Sequence, residues 1–368
     1  MNLSEVLSNN PNTPNDTTKL QTVVFRTTYT MPAWQNRLNF QMGVDVRQEF
    51  VNENILRNGS QQEGDYAVFG SARILVFNGF DIQPGVRFSY NTRFNSPLIP
   101  SINFKYNYKD KLVARLSYGR AYRAPELEEL FLLFLDSNHG ILGNPNLKPE
   151  DGNSANGSVS YTFKWAGSQQ LEFNTSGFYN NIENKIDLVY TGPTDENNYS
   201  SVGYEYFNIR HYITYGGEES VTYRWKRLTL SAAVLYTGYQ NTDTSVNVNV
   251  VRFSSPDFIA QAGYQIPKID VGVNLYYKYT GVKPLFSLSN GITSGTQPSF
   301  NLLDLSVTKS FWKNRILLTV GGKNLLGVKD ITGTGIGGAA TAHNANPDEL
   351  SVGWGRTVFT SLILQYAK

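Results

Sequence analysis

The chain has 368 residues with a formal net charge of +2, and 13% of its residues are aromatic while 17% are charged. A near-neutral charge gives no reason to expect a nucleic-acid partner, and the lack of cysteine excludes disulfide bonds, thiolate metal sites and a cysteine nucleophile. No run of about 18 apolar residues exists, so no transmembrane helix is predicted, yet many aromatics with few charges suit a partly apolar surface.

A polar segment over residues 1–19 opens the chain and is predicted to be a loop. Its first residues, Met1–Glu5, lack the basic and apolar regions of a secretory signal peptide. The rest of the chain, residues 20–368, follows a single pattern to its end.

That pattern is the alternation of apolar and polar residues over segments of about 10 to 14 residues. In Leu228–Thr237, for example, Leu230, Val234 and Tyr236 share one face, against Thr229 on the other. A period of two over this length indicates strands. About fifteen strands are predicted, near residues 20–31, 36–51, 64–77, 80–93, 100–108, 110–120, 152–164, 169–182, 204–225, 228–240, 255–266, 269–281, 300–311, 314–326 and 354–367.

The connections between these strands alternate in length. Short turns such as Asn78-Gly79 and Lys226-Arg227 alternate with long loops near 52–63, 121–151, 183–203, 241–254, 282–299 and 327–353. A soluble sandwich is the alternative, but its strands usually have only about 5 to 6 residues. Long strands with short turns on one rim and long loops on the other favour an antiparallel transmembrane β-barrel of the bacterial outer membrane.

Two motifs follow the sixth predicted strand. The first contains Tyr122, Arg123, Ala124 and Pro125, followed by Glu126-Leu127-Glu128-Glu129-Leu130-Phe131. The second, Gly143–Glu150, contains Asn144, Pro145, Asn146 and Leu147. Together they resemble the (F/Y)RAP, E-E-L-(F/Y) and GNPxLKPE boxes of TonB-dependent outer-membrane receptors. Near the end of the chain, Gly321–Leu326 and Gly355-Arg356 resemble the closing strands of the same family.

The resemblance implies a barrel of about 22 strands around a plug domain. Because about fifteen strands are predicted here, we expect residues 20–368 to be the C-terminal portion of such a barrel and residues 1–19 an extracellular loop. The signal peptide, the plug and about seven strands would then lie outside this chain. A truncated gene product and a segment of a longer receptor both agree with this expectation.

The first motif also has a local interpretation. Pro125 suits the first turn of a helix, and Glu126 and Glu128 suit its positive N-terminal end. Apolar residues then recur at helical spacing, which predicts one buried face: Leu127, Leu130, Phe131 and Phe134. Both motifs are therefore expected to fold a long loop onto the barrel rim.

The resemblance implies a receptor that takes up a scarce nutrient, most of all a ferric siderophore or another iron chelate. Its partners would be outer-membrane lipid, the chelate, and the TonB–ExbB–ExbD energy-coupling complex, which would act through the plug region. Neither a resident cofactor nor a catalytic residue is predicted, because no phosphate loop, zinc motif or catalytic triad occurs in the sequence. The substrate itself is left open.

Two alternatives concern the transported molecule. A haem receptor would use His139, which lies between the two motifs, as an iron ligand, and a passive porin-like barrel would use no energy coupling. His211 and His343 are lone histidines without a partner at ligand spacing. The glycine-rich loop Gly333–Ala345 is a candidate gate. Several tyrosines at strand ends are candidates for stacking on an aromatic siderophore or for a membrane-boundary girdle, namely Tyr204, Tyr206, Tyr236, Tyr239, Tyr277 and Tyr279.

Overall fold

The computed structural model describes twelve stretches of the chain, and all structural statements below refer to them. They are residues 19–35, 37–52, 59–109, 111–135, 140–165, 167–193, 202–241, 251–288, 292–312, 315–332, 349–351 and 353–365. The predicted loop over residues 1–19 therefore lies, except for Lys19, outside the described residues.

Within these stretches the chain forms strands and one short helix. The strands are β1 (Lys19–Thr30), β2 (Leu38–Asn52), β3 (Gln61–Phe77), β4 (Phe80–Asn91), β5 (Ile99–Tyr108), β6 (Leu112–Arg123), β7 (Leu133–Leu135), β8 (Gly140–Leu142), β9 (Glu150–Trp165), β10 (Gln169–Pro193), β11 (Val202–Trp225), β12 (Leu228–Asn241), β13 (Val251–Ile266), β14 (Val271–Thr280), β15 (Lys283–Leu288), β16 (Ile292–Gln297), β17 (Phe300–Phe311), β18 (Ile316–Lys323), β19 (Asp330–Thr332), β20 (Glu349–Ser351) and β21 (Thr357–Leu364). The helix, α1, spans Leu127–Phe131. Fifteen of the described strands have eight or more residues, so the predicted strand number is confirmed.

The fifteen long strands form one antiparallel sheet in which each pairs with the next long strand along the chain. Three small hairpins, β7–β8, β15–β16 and β19–β20, lie in the long connections. Among the described residues, β1 pairs only with β2, and β21 only with β18. The expectation that the chain is part of a longer receptor stays a prediction.

The period-two pattern divides the sheet into an apolar and a polar face. On the apolar face Tyr223 lies opposite Leu230, and on the polar face Arg26 lies opposite Asp45. Large apolar side chains in the middle of the strands are exposed, such as Phe88 at 57% and Leu116 at 54%. The sheet therefore presents an extensive apolar surface rather than burying it in a core.

Tight turns connect the strands at one edge of the sheet, here called the short-turn rim. Gly79, with φ 87°, and Lys109 and Lys226, with φ 50° and 52°, adopt the left-handed conformation that tight hairpins require. At Gly79 a Cβ atom would also lie 2.3 Å from the carbonyl oxygen of Asn107. The strand ends that flank the long connections lie, in the described residues, at the opposite edge, the long-loop rim, as the alternating loop lengths predicted.

The predicted loop over residues 183–203 is wrong in extent, because β10 continues to Pro193 and β11 begins at Val202. The polar run around Asn184 looked like a loop in the sequence. In the structure, however, Ile186, Val189 and Ile209 are all buried. Ile186 packs in the cluster with Leu127 and Leu147, and Ile209 packs with side chains of the neighbouring strands, which stabilises a longer hairpin.

Helix α1 is also shorter than its apolar spacing predicted. Pro125 precedes the N-cap residue, Glu126, so it lies before the helix rather than in its first turn. Phe134 belongs to β7, not to the helix. The helix stops at Phe131 because the next residues pair with β8 instead. No described helix is long and apolar enough to cross a membrane.

Candidate functional site

The first motif is anchored by one arginine between two carboxylates. The guanidinium of Arg123 donates to Glu129 at 2.8 and 3.0 Å and to Glu150 at 2.9 and 3.0 Å. Glu150 also accepts a hydrogen bond of 2.7 Å from the backbone N–H of Ile186. The pair with Glu150 is forked, from Nε and Nη2 to the two carboxylate oxygens, and Nη1 bonds both oxygens of Glu129. Charge-assisted bonds of this kind are directional, so Arg123 joins the end of β6 to helix α1 and to the start of β9.

These contacts change the ionisation of both partners, which lie at the long-loop rim. Hydrogen bonding to Glu150 raises the pKa of the Arg123 guanidinium, although burial opposes the change. Burial by itself would raise the pKa of the Glu150 carboxyl, but hydrogen bonds from Arg123 and from Ile186 outweigh it and hold that pKa below its usual value. Both groups are therefore charged at neutral pH.

Helix α1 begins with a reciprocal cap and buries its apolar side. The carboxylate of Glu129 accepts a hydrogen bond of 2.8 Å from the backbone N–H of Glu126, as in a capping box. Pro125, Leu127 and Leu130 are less than about 3% exposed. The surrounding cluster contains Val51, Leu127, Leu130, Phe131, Leu147 and Ile186, with Phe94 and Tyr206 against it. A compact core therefore lies under the long loops.

The second motif packs directly on the first. The N–H of Gly143 donates to the carbonyl of Leu132 at 2.6 Å, and the N–H of Asn144 donates to that of Glu129 at 2.8 Å. A Cβ atom at Gly143 would lie 2.6 Å from the nitrogen of Leu132, so only glycine permits this approach. Sequence reasoning placed the motifs in one loop, and the structure adds that they touch.

Asparagine side chains hold the second motif to β11. The side chain of Asn144 accepts from the N–H of Asn146 at 2.9 Å and donates to the carbonyl of Tyr206 at 3.0 Å. The amide of Asn208 bonds both the N–H and the carbonyl of Lys148, at 2.8 and 2.9 Å. Pro145 is exposed between them, whereas Leu147 is 4% exposed.

The first motif also lines a cleft of about 520 Å³ on the polar face. Tyr122, Arg123, Ala124, Pro125 and Glu126 form one side of this cleft. The other side comes from β1 to β4 and is rich in charge, with Arg26, Asp45, Arg47, Glu49, Glu63, Asp65 and Arg87. A cleft with this lining suits a polar or charged ligand or protein surface.

The charges of the cleft form a ladder across the strands. Asp45 accepts from Arg26 at 3.0 Å and from Arg87 at 3.2 Å, and Arg87 lies 3.7 Å from Asp65. The guanidinium side chains of Arg26 and Arg47 remain 67% and 49% exposed. They therefore retain hydrogen-bonding capacity toward the cleft.

Sequence reasoning missed this ladder, although a signal for it was present. Asp45, Arg47 and Glu49 are spaced by two residues in one strand, which places them on the same face. Arg26 and Arg87 join them through pairing of separate strands, which local spacing does not reveal.

The histidines contribute no cluster within the described residues. His139 and His343, and the loop Gly333–Ala345, lie outside those residues. His211 is on β11, opposite Glu183. No group of three or more potential metal ligands of the His, Cys, Asp and Glu types occurs in the described part of the chain.

The candidate tyrosines divide between the two faces. Tyr236 is 48% exposed on the apolar face, on which strand pairing also places Tyr277 and Tyr279. Tyr239 lies on the polar face, beside the buried Tyr212. Tyr204 and Tyr206 lie at positions of β11 that alternate onto the polar face. Tyr206 packs against the loop core.

The motif near the end of the chain also interlocks. The Nε of Arg356 donates to the carbonyl of Leu325 at 2.9 Å. The backbone N–H of Asn324 donates to the carboxylate of Asp304, on β17, at 2.8 Å. These contacts connect the end of β18 to the start of β21.

Comparison with known proteins gives a consistent match. The profile of the family described as TonB dependent receptor-like, beta-barrel, matches residues 3–325. The iron-regulated outer membrane virulence protein of Vibrio cholerae is 23% identical over 305 residues, which cover 78% of this chain and 45% of that protein. The probable hemoglobin and hemoglobin-haptoglobin-binding protein 4 of Haemophilus influenzae is 30% identical over 92 residues, which cover 25% of this chain and 8% of that protein.

Solved structures agree on the fold. The ferric enterobactin receptor of Pseudomonas aeruginosa superposes with a TM-score of 0.70 at 16% identity, over 94% of this chain and 54% of that receptor. The chain thus spans about half, or less, of the length of the proteins it matches. The enterobactin receptor is named as a receptor and the Haemophilus influenzae protein as a binding protein, in agreement with the sequence-based expectation that the chain is not an enzyme.

Proposed function

Since the chain belongs to the family of TonB-dependent receptor-like β-barrels, whose profile matches residues 3–325, we propose that it forms part of an outer-membrane receptor for an iron chelate. The favoured chelate is a ferric siderophore. Uptake would be driven by the TonB–ExbB–ExbD complex, which would act through a plug region beyond this chain.

The observation that carries this proposal is the charged cleft beside the first motif. Arg26 and Arg47 offer exposed guanidinium groups there, and arginine forms paired hydrogen bonds to anionic oxygen ligands. An anionic ferric chelate has this chemistry. The match to receptors that include one for ferric enterobactin supports the same substrate class.

The apolar face supports the proposed location in the outer membrane. Exposed aliphatic side chains occupy its middle, such as Val68 at 55% and Val234 at 48%. Aromatic side chains lie toward the short-turn rim, including Trp165 and Trp225 at 51% and 41%. An apolar band bordered by aromatic girdles is the surface that lipid requires.

The test is uptake of radioactive iron by a Gram-negative strain that lacks its own siderophore receptors and expresses the complete protein containing this chain. We expect ferric siderophore uptake that requires TonB. The double variant Arg26→Ala with Arg47→Ala should weaken uptake by roughly tenfold or more. Arg224→Ala is the control, because Arg224 pairs with Glu172 on another part of the sheet.

Uptake that persists without TonB would contradict the proposal and favour a passive porin-like barrel. If Arg224→Ala reduced uptake as much as the double variant does, the cleft would not be the binding site for the chelate. Both outcomes are read in the same assay, with receptor amounts compared by immunoblotting of outer membranes.

A haem receptor is the second candidate, favoured by the similarity to a probable hemoglobin-binding protein. His139 would then ligate the iron through its imidazole. Haemin added to the protein should produce a Soret shift that His139→Ala abolishes, with His211→Ala as the control. A shift that survives His139→Ala would eliminate this ligand.

A further inference from the structure

A carboxylate lies in the middle of the apolar face. Pairing of β11 with β12 places Glu219 on the same face as Tyr223, Val221 and Tyr215, and directly opposite Val234. Glu219 is exposed there. On its other side, in β10, its neighbour is Thr175, whose hydroxyl donates to the Oε2 atom of Glu219 at 2.6 Å.

The position of Glu219 corresponds to the centre of the proposed membrane band. It lies six residues from Trp225, the last residue of β11 at the short-turn rim. With a rise of about 3.3 Å per residue and a tilt of about 40°, this is about 15 Å from the rim, in an apolar band about 25 Å tall. In the described strands, other charged residues of the apolar face, such as Lys309 and Arg120, lie near its rims.

A carboxylate at this depth is unfavourable in lipid alone. Its two oxygens accept up to about four hydrogen bonds, and the hydroxyl of Thr175 supplies the one that the described residues provide. Ionisable residues at membrane depth are rare because hydrocarbon offers no donor, and where they occur they generally have a partner. The described residues therefore leave acceptor capacity on Glu219 open to a donor from another molecule.

The surface beside Glu219 permits close approach by another backbone. Gly157, Gly177 and Gly217 lie in register on β9, β10 and β11, so three neighbouring positions lack a side chain. A groove of about 440 Å³ passes over Gly157, Gly177 and Thr175 and is bordered by apolar side chains such as Phe104, Leu116 and Val159. Small residues of this kind allow membrane-embedded segments to pack closely.

We propose that this groove and Glu219 bind a transmembrane segment of a second membrane protein that carries one lysine or arginine near its middle. Charge complementarity selects this occupant, because an acyl chain has no hydrogen-bond donor. A second copy of the chain is disfavoured, since a twofold axis at this point would oppose two carboxylates and the described apolar face offers no central cation. The inference rests on the proposed membrane location, and not on the identity of the chelate.

The probe is a synthetic leucine–alanine transmembrane helix with one central lysine, compared with the same helix carrying leucine there. The complete protein is reconstituted in phosphatidylcholine vesicles, and association is measured by energy transfer between labelled peptide and labelled protein. The wild type should bind the lysine helix roughly tenfold more tightly than the leucine helix, as a hydrogen bond inside a membrane allows.

Two variants and one control test the residues. Glu219→Gln should remove the preference for lysine, whereas Glu218→Gln should keep it, because Glu218 is the adjacent residue on the polar face. Gly177→Val should weaken the binding of both helices, because the larger side chain fills the groove. A Cβ atom at Gly177 meets only the carbonyl oxygen of Gly216, at 3.5 Å, which is an ordinary contact, and protease protection checks that the variant inserts.

Equal binding of the two helices by the wild type would overturn the inference. So would a loss of the lysine preference in Glu218→Gln as large as that in Glu219→Gln. A protein that fails to insert, judged by protease protection, would overturn it together with the proposed membrane location. Loss of iron uptake with an intact lysine preference would instead contradict only the proposed substrate.

Discussion

Arg123 and Glu150 face each other across β6 and β9 and are joined by two hydrogen bonds of 2.9 and 3.0 Å. They belong to different sequence motifs, and the same guanidinium also binds Glu129 of helix α1. This single side chain therefore connects both motifs and the helix between them. The four predictions below follow from this unit.

Arg123→Ala should loosen the loop between β6 and β9. We expect the free energy of unfolding to fall by about 1–2 kcal/mol. Hydrogen bonds between charged groups are strong, but a guanidinium that is 38% exposed is partly screened by water. Urea unfolding followed by tryptophan fluorescence, with limited proteolysis of the loop, measures the effect. Arg123→Lys should also be destabilising, because an ammonium cannot make the forked pair with Glu150 while it bonds Glu129. Wild-type stability in the Arg123→Lys variant would contradict this account.

The stability of the loop unit should fall in acid. The pKa of Glu150 is held below its usual value, 4.5, so the folded state favours the ionised carboxylate. The contribution of this ionised carboxylate to folding stability is complete above its usual pKa. It is lost as the pH falls through the lower pKa of the folded state. Urea midpoints from about pH 6 to about pH 3 should decline more steeply for the wild type than for Glu150→Gln. Parallel declines would show that this group does not carry the effect.

Gly143→Ala should be damaging although it adds only one methyl group. The added Cβ would lie 2.6 Å from the nitrogen of Leu132 and 2.7 Å from that of Phe131, so the two motifs would have to separate. We expect about 1–3 kcal/mol of destabilisation by overpacking, measured by urea unfolding. The control is Gly177→Ala, where the nearest atom is at 3.5 Å and little change is expected.

Leu127→Ala should create a cavity in the loop core. Leu127 is 1% exposed and packs in the cluster with Val51 and Leu147, so its removal should cost about 2–5 kcal/mol. Leu116→Ala is the matched control, because Leu116 is 54% exposed on the apolar face. Differential scanning calorimetry in detergent compares them. Equal losses would indicate that the loop core does not stabilise the protein beyond the sheet.

Much of the fold could be predicted from local pattern. All fifteen long strands were predicted close to their observed positions, because alternation with period two is a property of neighbouring residues. Loop contents were predicted less well. The extension of β10 and β11 depends on burial of Ile186 by the loop cluster and of Ile209 by neighbouring strands, and helix α1 ends early because β7 pairs with β8.

By itself, the sequence determined which side chains share a face, where the turns fall, and that the two motifs belong to one loop. The tertiary structure alone decided the partners, because pairing brings together residues far apart in the chain. Arg123 meets Glu150, Asp45 meets Arg87, and Glu219 meets Thr175 only through strand register. Strand alternation specifies a direction for each side chain, and register specifies its neighbour.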